Sequence, residues 1–298
     1  MIEKIAIYPN PYRDPDGQFC NTIKNRLDAK GVATTIIDEK TTIPNDSDMI
    51  IALGGDGTIL RCATREDAIA MPILGVNIGH LGFMSGIGGI AQADLEALDK
   101  IIDGEFDISE RMMLDVRCNG EHKLALNELK ITPKEPTGIK VAMYIDSDYV
   151  KTFFGDGVIL ATPTGSTGWF NSYAHTPVDP EADVFAFTPV GSIDVGLNTF
   201  MTNSERRVRF EVVSDGGNPA LLDIDGCKEH RQLLHDGDNI FVSCSPVRTL
   251  LVLPKNHENF FRRIRSSISD HQDKNYDYSP TKGVKVRVNL KKGVQPRR

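Results

Sequence analysis

Two glycine-rich stretches carry the residue types that could do chemistry. The first runs Ile50-Ile51-Ala52-Leu53-Gly54-Gly55-Asp56-Gly57-Thr58-Ile59-Leu60. It opens as a short apolar run, which predicts a buried strand, and ends in a glycine turn that feeds an apolar segment. Glycines at such a turn admit positive φ and let the backbone approach a ligand closely. Bare N–H groups there cradle anionic oxygens, above all where a helix begins. Asp56 stands in the middle of the turn. A single carboxylate among phosphates has two uses: holding a metal ion, or taking a proton from a hydroxyl. The plainer alternative is a tight turn with a solvated aspartate.

The second stretch runs Gly155-Asp156-Gly157-Val158-Ile159-Leu160-Ala161-Thr162-Pro163-Thr164-Gly165-Ser166-Thr167-Gly168-Trp169-Phe170-Asn171-Ser172. A strand ends at Thr162-Pro163, and hydroxyls and glycines follow. Such a loop suits a phosphate or a ribose edge. Trp169, the only tryptophan, stands beside it, where its ring could stack on a nucleobase. The competing reading makes Trp169 a core anchor and the Ser/Thr run an ordinary loop. A third element, Leu126-Asn127-Glu128-Leu129, sets an amide beside a carboxylate in an apolar strand. On a strand the two point to opposite faces, so at most one meets a given cleft unless a bend intervenes. A surface pair at a strand edge is the alternative.

These motifs need elements to position them. Ile2 to Tyr8, Val32 to Ile37, Asp48 to Leu53 and Pro72 to Val76 read as strands. Phe19 to Leu27, a segment running through Ala63 and Ala68, and Gln92 to Ile102 read as helices, with Gly31 and Gly104 closing the first and last. Strands separated by helices predict a parallel sheet with ligands beyond its carboxyl edge. Both the turn at Gly54 and the segment Gly75-Val76-Asn77-Ile78-Gly79-His80-Leu81-Gly82-Phe83 fall there. After about residue 106 the pattern changes to short β-branched runs: Leu114 to Arg117, Leu124 to Ile131, Ile139 to Ile145, Val158 to Ala161, Val208 to Val213 and Ile240 to Cys244. They predict a second, mainly antiparallel β domain. Asp215-Gly216-Gly217 and Asp236-Gly237-Asp238 read as turns. Thr249 to Leu253 reads as a strand. Glu258 to Ile268 has an apolar stripe of Phe260, Phe261 and Ile264 with arginines opposite, and could pack back on the first domain. The expected division is 1–105 with about 249–268, then 106–248, then a basic, mobile tail 269–298 with a possible edge strand at Val284 to Val288.

Composition narrows the class. With 298 residues, 40% hydrophobic and 25% charged, the chain can build two ordinary globular cores. No apolar run is long enough for a membrane helix, and the opening Met1-Ile2-Glu3-Lys4-Ile5-Ala6 lacks a signal-peptide apolar region. A net charge of −7 argues against bulk nucleic-acid binding. The five cysteines, Cys20, Cys62, Cys118, Cys227 and Cys244, form no C-x-x-C pair and suit a reducing cytoplasm.

In order and spacing, Gly54-Gly55-Asp56-Gly57-Thr58, Asn77-Ile78-Gly79-His80-Leu81-Gly82-Phe83, Asn127-Glu128, Asp156-Gly157 and Thr162-Pro163-Thr164-Gly165-Ser166-Thr167 resemble the NAD kinase family. Gly104-Glu105-Phe106 to Arg111 and Leu251 to Arg265 extend the resemblance, which spans roughly residues 1–268. The first motif alone also resembles diacylglycerol kinases and phosphofructokinases; the later motifs and the absence of a membrane-binding stretch count against a lipid kinase. The resemblance implies an α/β nucleotide-binding domain followed by a β-rich domain, with the site in the cleft between. It implies phosphoryl transfer from ATP, or polyphosphate in some members, to the 2′-hydroxyl of the adenosine ribose of NAD or NADH. A divalent cation, usually Mg2+, is expected, as is a homodimer or homotetramer whose subunits share sites. Asp56 matches the catalytic aspartate, and Gly54, Gly55, Gly57 and Thr58 the phosphate turn. Asn127 and Glu128 match the acceptor's adenosine side, Asp156 an acceptor-binding aspartate, and Thr167, Gly168, Trp169 and Ser172 the loop that receives the dinucleotide.

The departures fall on the acceptor side. Gly168-Trp169 replaces the usual Ala-Tyr, Ala174-His175-Thr176 a Gly-Gly-Pro stretch, and Pro189-Val190-Gly191-Ser192 a Pro-Ile-Cys-Pro-like segment. Phe154 stands where an arginine is common. The expectation is retained phosphoryl donation with a possible shift in acceptor; a non-catalytic nucleotide-binding relative is the alternative.

Overall fold

The computed structural model describes residues 2–269 except 80–81, 194–195, 214–217, 256 and 258–259. Strands β1 (Lys4–Pro9), β2 (Ala33–Ile36), β3 (Met49–Gly54) and β4 (Pro72–Asn77) alternate with helices α1 (Gln18–Ala29) and α2 (Asp56–Ala63), and α3 (Gln92–Ile102) follows. The chain then turns to strand: β5 (Phe106–Arg111), β6 (Leu114–Cys118), β7 (Glu121–Ala125), β8 (Glu128–Pro133), β9 (Ile139–Ile145), β10 (Asp148–Gly155) and β11 (Gly157–Ala161). Past the short helix α4 (Trp169–Ala174) come β12 (Val184–Val190), β13 (Phe200–Asn203), β14 (Val208–Val213), β15 (Ala220–Ile224), β16 (Cys227–Leu234), β17 (Asn239–Cys244) and β18 (Thr249–Pro254). Residues up to 257 form one compact unit; helix α5 (Phe260–Ser269) belongs to another.

The first sheet has the order β2-β1-β3-β4-β18-β5. Its pairings are parallel except for β5 against β18. Strand β18 thus returns from the far end of the unit to lie beside β4. Strand β3 is buried along its whole length because both faces are covered. Met49, Ile51 and Leu53 join Ile23 and Leu27 of α1 and Leu98 and Ile101 of α3. Ile50 and Ala52 face the other way, into a cluster with Ile59 and Cys62 of α2, Met84, Met113 and Leu126. That second cluster reaches across into the β-rich part, and Leu126 immediately precedes Asn127.

The other two sheets, β10-β9-β14-β17-β6-β7 and β13-β12-β11-β8-β15-β16, are antiparallel in the pairings described. They enclose one core, with Val116, Val141 and Phe210 from one and Leu129, Val158 and Phe187 from the other. On the outer face of β11, Ile159 and Ala161 are covered by Phe170 of α4 and by Val178.

Three sequence expectations change. The helix expected to run through Ala68 ends at Ala63, and Glu66–Ala68 forms a separate turn. Arg65 breaks it: its backbone is extended while its guanidinium bonds the carbonyls of Asp38 and Thr41 and the Asp67 carboxylate. The strand expected over 124–131 is interrupted at Leu126 and Asn127. Within α5, Phe261 is exposed and Arg263 buried, so the apolar and basic faces do not divide as the spacing suggests. The turn at Asp215 to Gly217 and the possible strand at Val284 to Val288 lie outside the described residues. Among the described residues, no helix is long and apolar enough to cross a membrane.

Candidate active site

Strand β3 delivers its last residue, Gly54, to the carboxyl edge of the parallel sheet, and α2 starts at Asp56. The glycines of this turn differ in why they are glycine. A Cβ on Gly54 would collide with the Thr58 hydroxyl, which accepts a 3.0 Å hydrogen bond from Asn10 Nδ2. Gly54 and Thr58 therefore shape the turn from within. A Cβ on Gly55 would come no closer than 4.0 Å to Asn77 Oδ1, and one on Gly57 would meet nothing within 4 Å. Neither has positive φ. Nothing described within the fold demands glycine at 55 or 57; the open space in front of them suits an approaching ligand.

The loop after β4 wraps the Asp56 carboxylate. The amide of Phe83 donates to Oδ2 at 2.8 Å and that of Met84 to Oδ1 at 3.3 Å. Gly82 lies flat against the carboxylate, since any Cβ there would collide with it. The loop after β1 adds Arg13, whose Nη1 is 3.4 Å from where a Cβ on Gly79 would stand. This cation was not singled out from sequence; its position after a strand of the parallel sheet was the available signal. His80 and Leu81 lie outside the described residues.

Asn127 and Glu128 sit where β7 gives way to β8. The carboxylate of the half-buried Asp225 accepts the amides of Leu126, Asn127 and Glu128 at 2.7, 2.8 and 2.9 Å. The resulting bend overrides strand alternation. A Cβ on Gly168 would lie 2.9 Å from Glu128 Oε2 and 3.1 Å from Asn127 Nδ2, so both side chains face the same backbone. Both are buried, at 8% and 5% exposure. Asn127 Oδ1, Glu128 Oε2 and Thr164 Oγ1 are buried without a hydrogen-bond partner among the described residues. Orphaned atoms of this kind are costly and mark places where a ligand or water completes the site. Burial, reinforced by the neighbouring Asp225 charge and opposed by Lys130, pushes the Glu128 carboxyl up to about 8.

The hydroxyls after β11 are mostly spent on the fold. Thr162 donates to the Leu126 carbonyl at 2.6 Å and accepts the Gly165 amide at 3.0 Å. Ser166 donates to the Pro163 carbonyl and accepts the Val178 amide, and Thr167 donates to the Thr164 carbonyl. Gly165 packs so tightly on the Asn127 carbonyl that a Cβ would collide with it. Trp169 is 53% exposed, with Lys130 Nζ 4.4 Å from its ring centroid. The core anchor is its neighbour, the fully buried Phe170. Ser172 is exposed one helical turn further on.

Asp156 stands apart from these. Ala161 of β11 pairs with Glu128 of β8, so Asp156, five residues back along the chain, is roughly 17 Å from that end. Phe154, nearby, stacks its ring over Gly138, where a Cβ would approach to 2.6 Å. A cleft of about 570 Å³ opens between α2 and the β7 and β16 strands, with Tyr8, Arg61, Leu124 and His230 in its walls. Its nearest wall on α2 begins five residues past Asp56.

The description "ATP-NAD kinase N-terminal domain" matches residues 15–106, and "ATP-NAD kinase C-terminal domain" matches residues 126–252. The chain belongs to the NAD kinase family. An NAD kinase from Caldanaerobacter subterraneus subsp. tengcongensis is 32% identical over 288 residues, spanning 90% of this chain and all of the relative. One from Acetivibrio thermocellus is 29% identical over 287 residues, spanning 90% and 97%. Two solved structures share the fold. An NAD kinase from Archaeoglobus fulgidus, solved with ATP, has a TM-score of 0.72 at 24% identity, covering 90% of this chain and 99% of that one. Yeast NADH kinase, solved with NADH, has a TM-score of 0.73 at 19% identity, covering 94% and 90%.

A methyl on Gly168 would press on the side-chain ends of Asn127 and Glu128, which occupy that space here.

The raised carboxyl has a consequence for stability. The ordinary value for Glu128 is 4.5 and the folded one about 8, so the folded state holds a proton that the unfolded chain releases. Its contribution to stability is full below the unfolded value and is lost as pH rises through the folded one. Urea midpoints of the wild type should therefore fall more steeply between about pH 5 and 8 than those of Glu128→Gln, whose amide does not titrate. Parallel pH slopes for the two proteins would contradict the assignment.

Proposed function

We propose that this protein is a working NAD kinase, transferring a phosphoryl group from ATP to the 2′-hydroxyl of the adenosine ribose of NAD or NADH. The reading is carried by Asp56, held by loop amides at the head of α2 between glycines whose open side faces outward. Phosphoryl transfer needs alignment, charge neutralisation and a base near the attacking hydroxyl, with little covalent help. The donor phosphates lie over Gly55 and Gly57, in the turn that Gly54 and Thr58 shape, with Arg13 on the same crest. Asp56 accepts the ribose proton. Asn127 and Glu128, with their orphaned oxygens, take the adenosine side of the acceptor. Thr167, Gly168, Trp169 and Ser172 border it, the exposed Trp169 ring offering a stacking surface. That relatives of this fold were solved with ATP and with NADH supports this choice of donor and acceptor; polyphosphate is the other donor to test.

A magnesium ion fits the same turn. Mg2+ commonly keeps its waters and takes one or two carboxylates with substrate phosphates for the rest. Among the described residues no three acidic, histidine or cysteine side chains converge into a cage. Asp56 would be the side chain to hold such a cation, which would supply neutralisation of phosphate charge there. The free thiols of the five cysteines suit a cytoplasmic setting.

Asp156 lies too far along β11 to act at the Glu128 end of its own chain. A second copy supplies it, which makes the active form a homodimer or homotetramer.

Incubation of the purified protein with ATP, Mg2+ and either NAD or NADH should yield NADP or NADPH; neither product forming would sink the reading. Asp56→Asn should lose about a hundredfold or more in kcat while retaining NAD binding by calorimetry. Gly57→Ala meets no atom of the fold and gains helix propensity, so its Tm should hold or rise while its KM for ATP increases. Unchanged kinetics in Gly57→Ala would mean that nothing docks there. Mixing inactive Asp56→Asn with inactive Asp156→Ala chains should restore activity through hybrid sites; a mixture as dead as its parts removes the shared site.

A further inference from the structure

Asp225 lies in none of the motifs above, yet its carboxylate accepts three backbone amides beside the site. It stands at the two-residue turn joining β15 to β16, where Ile224 pairs with Cys227. Asp225 and Gly226 take φ values of 50° and 65°, the left-handed pair that a tight hairpin of this kind requires. The turn aims the carboxylate of the half-buried Asp225 inward, where it accepts three consecutive amides, those of Leu126, Asn127 and Glu128. Its own amide donates to the Glu128 carbonyl at 3.0 Å, so the clasp closes from both sides.

What the clasp achieves is geometric. Neighbours on a straight strand point to opposite faces. Here three successive N–H groups converge on one side chain, which an extended strand cannot arrange, and Asn127 and Glu128 both come to lie against Gly168. The same bend leaves the Asn127 and Leu126 carbonyls to Thr162, locking the bend to the loop that follows β11. The turn-forming Asp225 thereby connects the β15–β16 hairpin, the bend and the loop around Gly168.

We propose that Asp225 is a positioning residue for the acceptor, holding Asn127 and Glu128 in the bend that turns both side chains toward one ligand. The inference rests on the NAD kinase reading above. It makes no contact between Asp225 and NAD; Asp225 acts through the backbone of its neighbours.

Asp225→Asn tests it, because an amide keeps the size but replaces one accepting oxygen with a donor that faces N–H groups. NAD affinity is measured by calorimetry and steady-state kinetics are run with NAD and ATP varied separately. The expected result is weaker NAD binding and a KM for NAD raised about tenfold or more, with KM for ATP and kcat changed by about twofold at most. Wild-type affinity for NAD in the variant overturns the inference and leaves the kinase reading standing, and so does equal loss toward NAD and ATP. A wild-type protein that binds no NAD removes the kinase reading and this inference with it. If Asp225→Asn does not fold, Gly226→Ala decides. That variant strains the turn at φ 65° without removing any bond of the clasp, and its Cβ meets nothing within 4 Å. A several-fold rise in KM for NAD alone supports the role of Asp225, and unchanged kinetics overturn it.

Discussion

One apolar cluster sets the distance between the two chemical motifs. Ile59 stands one turn into α2, three residues beyond Asp56; Leu126 stands one residue before Asn127; both are buried in the same cluster with Met84 and Met113. Met84 also gives its amide to Asp56. Residues at the head of α2, in the loop after β4 and at the start of the bend therefore share packing neighbours. Close-packed interiors transmit small displacements rather than absorb them. A core change at Leu126 or Ile59 would thus be felt at both carboxylates, although neither side chain does chemistry.

Around that cluster, the polar groups divide into those the fold uses and those it leaves open. The hydroxyls of Thr162, Ser166 and Thr167 are committed to backbone. Asn127 Oδ1, Glu128 Oε2 and Thr164 Oγ1 are not. Asp225 shows what commitment involves. Hydrogen bonds to charged groups contribute about 1.5–3 kcal/mol each, and Asp225 accepts three from the backbone. Its carboxyl is nevertheless pushed up to about 6, because desolvation outweighs the three amides. Those three bonds fix the bend between β7 and β8 from a hairpin far along the chain.

The periodic parts of this molecule were legible in its sequence. Strand β3 was readable because an apolar run ended in glycine, and the helices α1 and α3 because apolar residues recurred at helical spacing. The change to antiparallel sheet near residue 106 showed in the β-branched runs. The apolar stripe of Glu258 to Ile268 groups residues 249–268 with the first domain, and it is β18 that joins the first sheet, beside β4. The bend at Leu126 and Asn127 was not legible, because its cause is 97 to 99 residues away. Locally, Leu124 to Ile131 looks like one strand. Trp169 and Phe170 posed a different difficulty: adjacent aromatics on a short helix do not reveal which one is buried. Only the tertiary position of α4 over β11 makes Phe170 the anchor and leaves Trp169 outside.

That division of labour bears on how the acceptor side can vary. Trp169 is exposed and meets Lys130, whereas Phe170 carries the packing on β11. The ring at 169 can therefore change in size and hydrogen bonding without disturbing the core. Position 168 is constrained more tightly, since Asn127 and Glu128 fill the space a methyl would need. Gly168 and Trp169 thus make different demands on the same loop: the small residue lets the bent pair advance, and the large one extends beyond them. Position 168 is tied to the Asp225 clasp, which brings both side chains to one side. The ring at 169 is free of that constraint, because Phe170 and not Trp169 carries the packing on β11.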